Sequence, residues 1–195
     1  MFSRRFFLGI SLAGATSMAL ARSGTEKIAP DLLQRAMEAL DQHRDSIEHR
    51  DFMGVVDFSL PSSAPRLFLV NLADGSVKSY LVAHGRGSDP EHTGRLERFS
   101  NAPHSNATSA GAYRTGSVYV GAHGRSMRLE GLDPTNSNAA SRAIVVHGAW
   151  YVSATMVDRM GMLGRSEGCF AVPDASLGEI MATLGPGRLI YAGKA

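Results

Sequence analysis

Two short stretches hold the residues best suited to chemistry. Gly164-Arg165-Ser166-Glu167-Gly168-Cys169 sets the chain's one cysteine in a glycine-flanked turn, and Ile144-Val145-Val146-His147-Gly148 sets a histidine at the end of an apolar run. A thiol nucleophile needs a base to take its proton and backbone donors to hold the developing oxyanion. Glycines at both ends of a turn let backbone N–H groups point inward. A histidine lying roughly twenty residues before a cysteine leaves room for a fold to bring the two together, although spacing alone does not establish contact. The plainer use of Cys169 is as a small buried apolar residue. His84, His92, His104, His123 and His147 lie in or beside Gly-rich segments, so a zinc peptidase is a second reading. No H-E-x-x-H or comparable ligand spacing supports it.

The elements that must position these residues are mostly strands. β-Branched and aromatic runs predict strands over 55–58, 66–72, 76–83, 117–122, 127–129, 143–147 and 188–191. Gly75, just past the second run, supplies the positive φ that a hairpin turn needs. Leu32, Leu33, Ala36, Met37 and Leu40 fall on one helical face, with Pro30 and Asp31 as start signals. A second helix is predicted over 174–184, capped by Asp174, with Leu177, Ile180, Met181 and Leu184 on one stripe. The expected fold class is mainly β (α+β), with helices at the ends. The polar stretch 85–106 resists both periods; a loop that long is either functional or a surface excursion.

Composition narrows the function. The 195 residues are 44% hydrophobic and 19% charged, the texture of one globular domain rather than a disordered chain. A net charge of +2 with no Lys/Arg run argues against nucleic-acid binding. Residues 1–21 read as an export signal: Arg4-Arg5, an uncharged apolar run from Phe6 to Leu20, and a small-residue exit at Ala19-Leu20-Ala21. That run is shorter than the roughly 18 residues of a membrane span, so no stable span is expected after cleavage near Ala21. The expected location is periplasmic or otherwise extracytoplasmic, with a twin-arginine route suggested. Exported proteins usually pair their cysteines, so a lone thiol outside the cytoplasm is a liability unless it has a task. The expected organisation is a signal over 1–21, a helical segment over 22–50 and a catalytic domain over 51–195.

His147-Gly148 followed by Ser166-Glu167-Gly168-Cys169 resembles the signature of the L,D-transpeptidases, the YkuD-like cell-wall enzymes. The likeness extends to His84-Gly85-Arg86-Gly87-Ser88, Phe99-Ser100-Asn101, Gly111 to Tyr113, Tyr119 to Ser126 and Asn138 to Arg142, an elaborated branch of that family. It covers about His84 to Val172, and residues 22–50 carry none of it. The resemblance implies a β-sandwich with peripheral helices and no cofactor or metal. It implies peptidoglycan stem peptides as partners. Cys169 would attack the bond between a diamino acid and D-Ala, His147 would accept the thiol proton, and the Gly148 carbonyl would orient the imidazole. The turn from Ser166 through Gly168 to Cys169 would provide the oxyanion donors. An amine on a second stem would resolve the thioester into a 3-3 cross-link; water would make the enzyme an L,D-carboxypeptidase, and release of wall-linked groups uses the same chemistry.

Two positions depart from the pattern. Glu167 and Ala171 stand where many members have His and Arg or Asn. Glu167 is expected to point outward, because a carboxylate facing the thiol would raise its pKa. Arg165 is the nearest substitute for binding a stem carboxylate, and His84 is expected to line the cleft and position substrate. A non-catalytic wall-binding module, using Trp150 and Tyr151 against sugar faces, is the remaining alternative.

Overall fold

The computed structural model describes residues 28–195. The expected export signal over 1–21 and its expected cleavage near Ala21 lie outside the described residues. Eight strands form one sheet: β1 Phe52–Asp57, β2 Leu67–Asn71, β3 Val77–Tyr80, β4 Gly111–Gly121, β5 Gly124–Gly131, β6 Val145–Gly148, β7 Phe170–Val172 and β8 Leu189–Gly193, in the order β3-β2-β1-β8-β4-β5-β6-β7. The sheet folds over itself. Leu67 and Leu69 from near one edge share a core with Phe170 and Val172 from the other, together with Val56, Tyr113, Met127 and Ile190. The Ala83 N–H also bonds the Ala171 carbonyl at 2.8 Å, linking the chain after β3 to β7. This is a sandwich-like enclosure with peripheral helices, as expected.

Helix α1, Pro30–Gln42, lays Leu32, Ala36, Ala39 and Leu40 against Met53, Val55, Phe68, Ala112 and Leu189 on the outer face of the sheet. Met37 is exposed, because Ala39 takes part of the stripe expected of it. Helix α2, Ala154–Met160, was not evident in the sequence pattern. Ser153 caps it through a 3.2 Å bond from the Met156 N–H, and Gly161 at φ 71° ends it. Helix α3, Asp174–Thr183, buries Ile180 and Met181. Its cap residue is Pro173, not Asp174, whose carboxylate sits in the first turn instead, where the helix dipole still favours it.

The strands differ from their predicted bounds where side-chain preference is a poor guide. β4 starts at Gly111 rather than Ser117, because β8 pairs with Gly111–Arg114 regardless of their small side chains. β6 starts at Val145: Ala143 has φ 54° and bonds back to the Ala140 carbonyl, so the chain is still turning there. Within 85–106, Asp89 supplies the order. Its carboxylate accepts the Thr93 and Gly94 N–H groups at 2.7 and 2.9 Å.

Candidate active site

The sheet register brings Cys169 and His147 onto one face. β6 and β7 are parallel, with His147 opposite Ala171. Strand side chains alternate, so Cys169, two residues before Ala171, shares its side with His147. Burial confirms the alternation: Val146, Phe170 and Val172 enter the main core, while Ala149 and Ala171 belong to a separate cluster on the other face.

The turn that carries the thiol is built by backbone economy. Ser166 donates its hydroxyl to the Cys169 carbonyl at 2.7 Å and accepts the Gly168 N–H at 3.2 Å. Gly168 has φ 119°, and a Cβ there would sit 2.8 Å from the Ala107 carbonyl oxygen, so only glycine fits. Because the Gly168 N–H points at Ser166, it does not face open space as an oxyanion donor would. Thr108 donates its hydroxyl to the Gly168 carbonyl at 3.2 Å and accepts the Gly85 N–H at 2.9 Å.

His147 holds its ring by one nitrogen. Nδ1 lies 2.8 Å from the Gly148 carbonyl, which can only accept, so Nδ1 carries the proton and the neutral ring leaves Nε2 as an acceptor. The ring stacks on His123, with centroids 4.4 Å apart and planes 21° apart. Burial holds the His147 pKa below its ordinary value; the Gly148 bond and Asp174 pull upward, and His123 adds to the lowering. Burial pushes the Cys169 thiol up, while the Val145 N–H and the Arg142 charge pull it down and Glu167 pushes it further up. The Cys169 thiol donates to the Ala143 carbonyl at 3.6 Å. Both shifts favour the neutral forms, a thiol and an imidazole.

Cys169 opens into a pocket of about 490 Å³ lined by Pro103, His104, Asn106, His123, Ser141, Arg142, Ala143 and Glu167. His147 is behind this lining, in contact with it through His123. Glu167 is exposed on the rim and pairs with Arg86 at 2.9 Å, yet it lines the pocket with Cys169 and pushes the thiol pKa up, so it is not turned away from the site as expected. The loop 85–106 contributes Pro103 and His104, so part of that polar stretch does form the site.

Arg165 and His84 stand elsewhere. The Arg165 guanidinium binds the carbonyls of Asp89 and, at 3.1 Å, Pro90, and is absent from the pocket lining. His84 is 1% exposed and lies between Arg66, whose Nη2 donates to Nδ1 at 2.7 Å, and Asp89, whose Oδ2 accepts from Nε2 at 3.3 Å. Its carbonyl takes the Ser166 N–H at 2.9 Å. Both residues therefore support the turn rather than face the pocket, because nearer acceptors and a buried partner capture them first. Sequence reasoning offered His123 only as a zinc-ligand candidate and placed both His123 and Arg142 within stretches of family resemblance, without a role for either at the cysteine. Only the positions of the β4–β5 hairpin and of the bend before β6 bring these two to the cysteine, and neither position is written in a local motif.

Among the described residues, no three His, Cys, Asp or Glu side chains could hold a metal ion. No described helix is long and apolar enough to cross a membrane. Trp150 is 77% exposed beside Tyr151.

The fold is a folded sheet with an imidazole on β6 and a buried thiol just before the parallel β7, both on one face. The chain belongs to the L,D-transpeptidase catalytic domain family, whose model (YkuD_2) matches residues 24–192, and is therefore an enzyme of that superfamily. The match takes in α1 as well as the sheet. No curated protein matches the chain. Similar solved structures include an L,D-transpeptidase from Mycobacterium smegmatis (13% identity, 73% of this chain and 58% of that one, TM-score 0.45). Others are L,D-transpeptidase 3 from Mycobacterium tuberculosis (14%, 74% and 61%, 0.47) and the helical cell shape determining protein Pgp2 from Campylobacter jejuni (10%, 86% and 57%, 0.48). The chain spans about three-fifths of the length of these structures, and the assignment rests on the family match alone.

Proposed function

We propose that this domain is a cysteine-dependent peptidoglycan L,D-transpeptidase that works through a thioester on the diamino acid–D-Ala bond of tetrapeptide stems. The observation that carries it is the register of β6 and β7, which sets Cys169 and His147 on one face with the imidazole tied at Nδ1 and its Nε2 an acceptor. The Cys169 proton passes to Nε2 as the sulfur bonds the carbonyl carbon. The C–N bond then breaks, and the same proton leaves with the D-Ala amine. A second stem's amine attacks the thioester, its proton returning through His147 to the sulfur, and a 3-3 cross-link results. With the Gly168 N–H taken by Ser166, the Cys169 N–H is the oxyanion donor this turn offers, and Ser166 fixes the turn that presents it. Residues 1–21 would deliver the protein to the wall outside the cytoplasm.

Mass spectrometry of purified disaccharide-tetrapeptide incubated with the enzyme tests the reading, with Cys169→Ala alongside. Loss of D-Ala with 3-3 dimers, in the wild type only, is expected. Tripeptide without dimers would make the enzyme an L,D-carboxypeptidase, and D-Ala loss unaffected by Cys169→Ala would remove the thiol mechanism.

A further inference from the structure

Arg142 lies in the bend just before β6 and lines the pocket with Cys169. Its Nη1 donates to the Ser100 carbonyl and the Ser109 hydroxyl, each at 2.8 Å. Its Nη2 donates to the Ser105 hydroxyl at 3.2 Å and to the Ala107 carbonyl. All four partners are neutral. Neither the hydrogen bonds nor the ion pairs of the described residues give this guanidinium a carboxylate, whereas Arg35, Arg50, Arg86, Arg114 and Arg188 each have one. The group is half-buried and packed on the nucleophile's turn: Nη2 lies 3.2 Å from where a Gly168 side chain would begin. With its four Nη protons engaged, Arg142 is poorly placed to grip a ligand and acts through its charge. A half-buried charge is screened less than a surface one.

We propose that Arg142 is a positioning residue for the reaction centre: its uncompensated positive charge is the electrostatic partner of the Cys169 sulfur and of the oxyanion formed beside it. This rests on Cys169 being the reactive thiol, but on no particular substrate. The other charged or titratable groups facing the sulfur or its pocket are Glu167 on its own turn, His123 on the β4–β5 hairpin, His104 on the long loop and Tyr151 before α2, with His147 on the same face of the neighbouring β6. Glu167 opposes Arg142 from the rim, although its pairing with Arg86 partly neutralises it. Loss of the Arg142 charge would leave burial and Glu167 unopposed except by the Val145 N–H, and the thiolate would become harder to form.

The test is the pH dependence of Cys169 alkylation by iodoacetamide in the full protein. It needs no wall substrate, so a failed cross-linking assay and a failed alkylation result are separate outcomes. Arg142→Gln is expected to move the alkylation titration upward by about one pH unit, roughly tenfold in rate below the midpoint. Arg142→Lys, which keeps the charge but breaks the fork of bonds, is expected to stay near the wild type. A second pair leaves the arginine in place. Ser105→Asp puts a carboxylate on Nη2 and should shift the titration upward, whereas the neutral Ser105→Asn should not. Equal shifts in Arg142→Gln and Arg142→Lys, or no difference between Ser105→Asp and Ser105→Asn, would reduce Arg142 to a tie between loops and overturn the proposal.

Discussion

Two of the chain's three His-Gly dipeptides flank its cysteine turn. His84-Gly85 and His147-Gly148 both run beside the segment from Ser166 to Ala171, one through the Gly85–Ser166 bridge and the other through the β6–β7 pairing. Their imidazoles end in opposite states. His84 has both nitrogens engaged, by a guanidinium on one side and a carboxylate on the other, and burial holds its pKa down at about 4. His147 has one nitrogen tied to its own neighbour's carbonyl and leaves the other free to accept. A histidine next to a glycine is thus a scaffold or a candidate base according to what occupies its second nitrogen, and the sequence around it does not decide which.

The largest effect should come from exchanging these states. His147→Ala removes the imidazole acceptor placed on the thiol's face and is expected to cut turnover about a thousandfold, within the range of general-base losses. Its melting temperature should fall less than that of His84→Ala, since the one hydrogen bond of its ring is to its own neighbour, whereas His84 ties Arg66 to Asp89. A melting temperature that falls as far as that of His84→Ala would erase the distinction.

Next comes a pH effect on stability, and its sign follows from His84. The unfolded imidazole titrates near pH 6.5, whereas the buried ring waits until about 4. Above pH 6.5 both states are neutral and the contribution is complete. As pH falls from about 6.5 towards 4 the unfolded chain binds the proton first, so stability drops, by about 3 kcal/mol in all from this group. His84→Gln keeps hydrogen-bonding capacity without the titration. Urea midpoints measured across that range should fall less steeply for the variant than for the wild type, and parallel curves would show that His84 is not the buried neutral ring described above.

Much of this was legible in advance. The β-rich class, the α1 and α3 stripes and the Gly75 turn follow from local pattern, and so does the choice of Cys169 and His147 as the candidate pair, because periodicity and rare residue types are local properties. The tertiary features were not. β7 is three residues, too short for any period to register, and Gly111 carries β4 only because β8 pairs with it. Arg165 looked like a pocket residue by proximity in sequence, yet the carbonyls of Asp89 and Pro90, which capture it, lie some 75 positions earlier. Arg142 and His123 reach the thiol from other elements, so no motif containing Cys169 could include them.

A smaller effect belongs to Gly148. An ideal Cβ there would lie 2.3 Å from Asp174 Oδ1, at the start of α3. Gly148→Ala must push that carboxylate or the β6 end aside, at a cost of about 1–3 kcal/mol by analogy with overpacked cores. The Gly148 carbonyl that holds Nδ1 would move with it, so activity should fall along with stability. Calorimetry and turnover measured on the same preparation check this, and full activity in a destabilised protein would show that the His147 tether tolerates displacement.

The smallest expected effect is at His123, where an exposed ring from the β4–β5 turn lies flat on a buried one. Aromatic contacts of this kind are worth about 0.5–1.5 kcal/mol, so His123→Ala should cost activity roughly two- to tenfold. The direction of the pH change is the sharper reading. His147 must be neutral to accept the thiol proton, so the acid limb of kcat/KM follows its depressed pKa and lies below the ordinary histidine range. His123 contributes to that depression as a neighbouring partial charge. Its removal lets His147 protonate more readily, and the acid limb should move to higher pH. His123→Phe keeps the stack without the charge, so it should recover the rate on the plateau while showing the same displaced limb. A limb that stays put in both variants would mean that burial alone tunes His147, and that the hairpin contributes only the face of a ring.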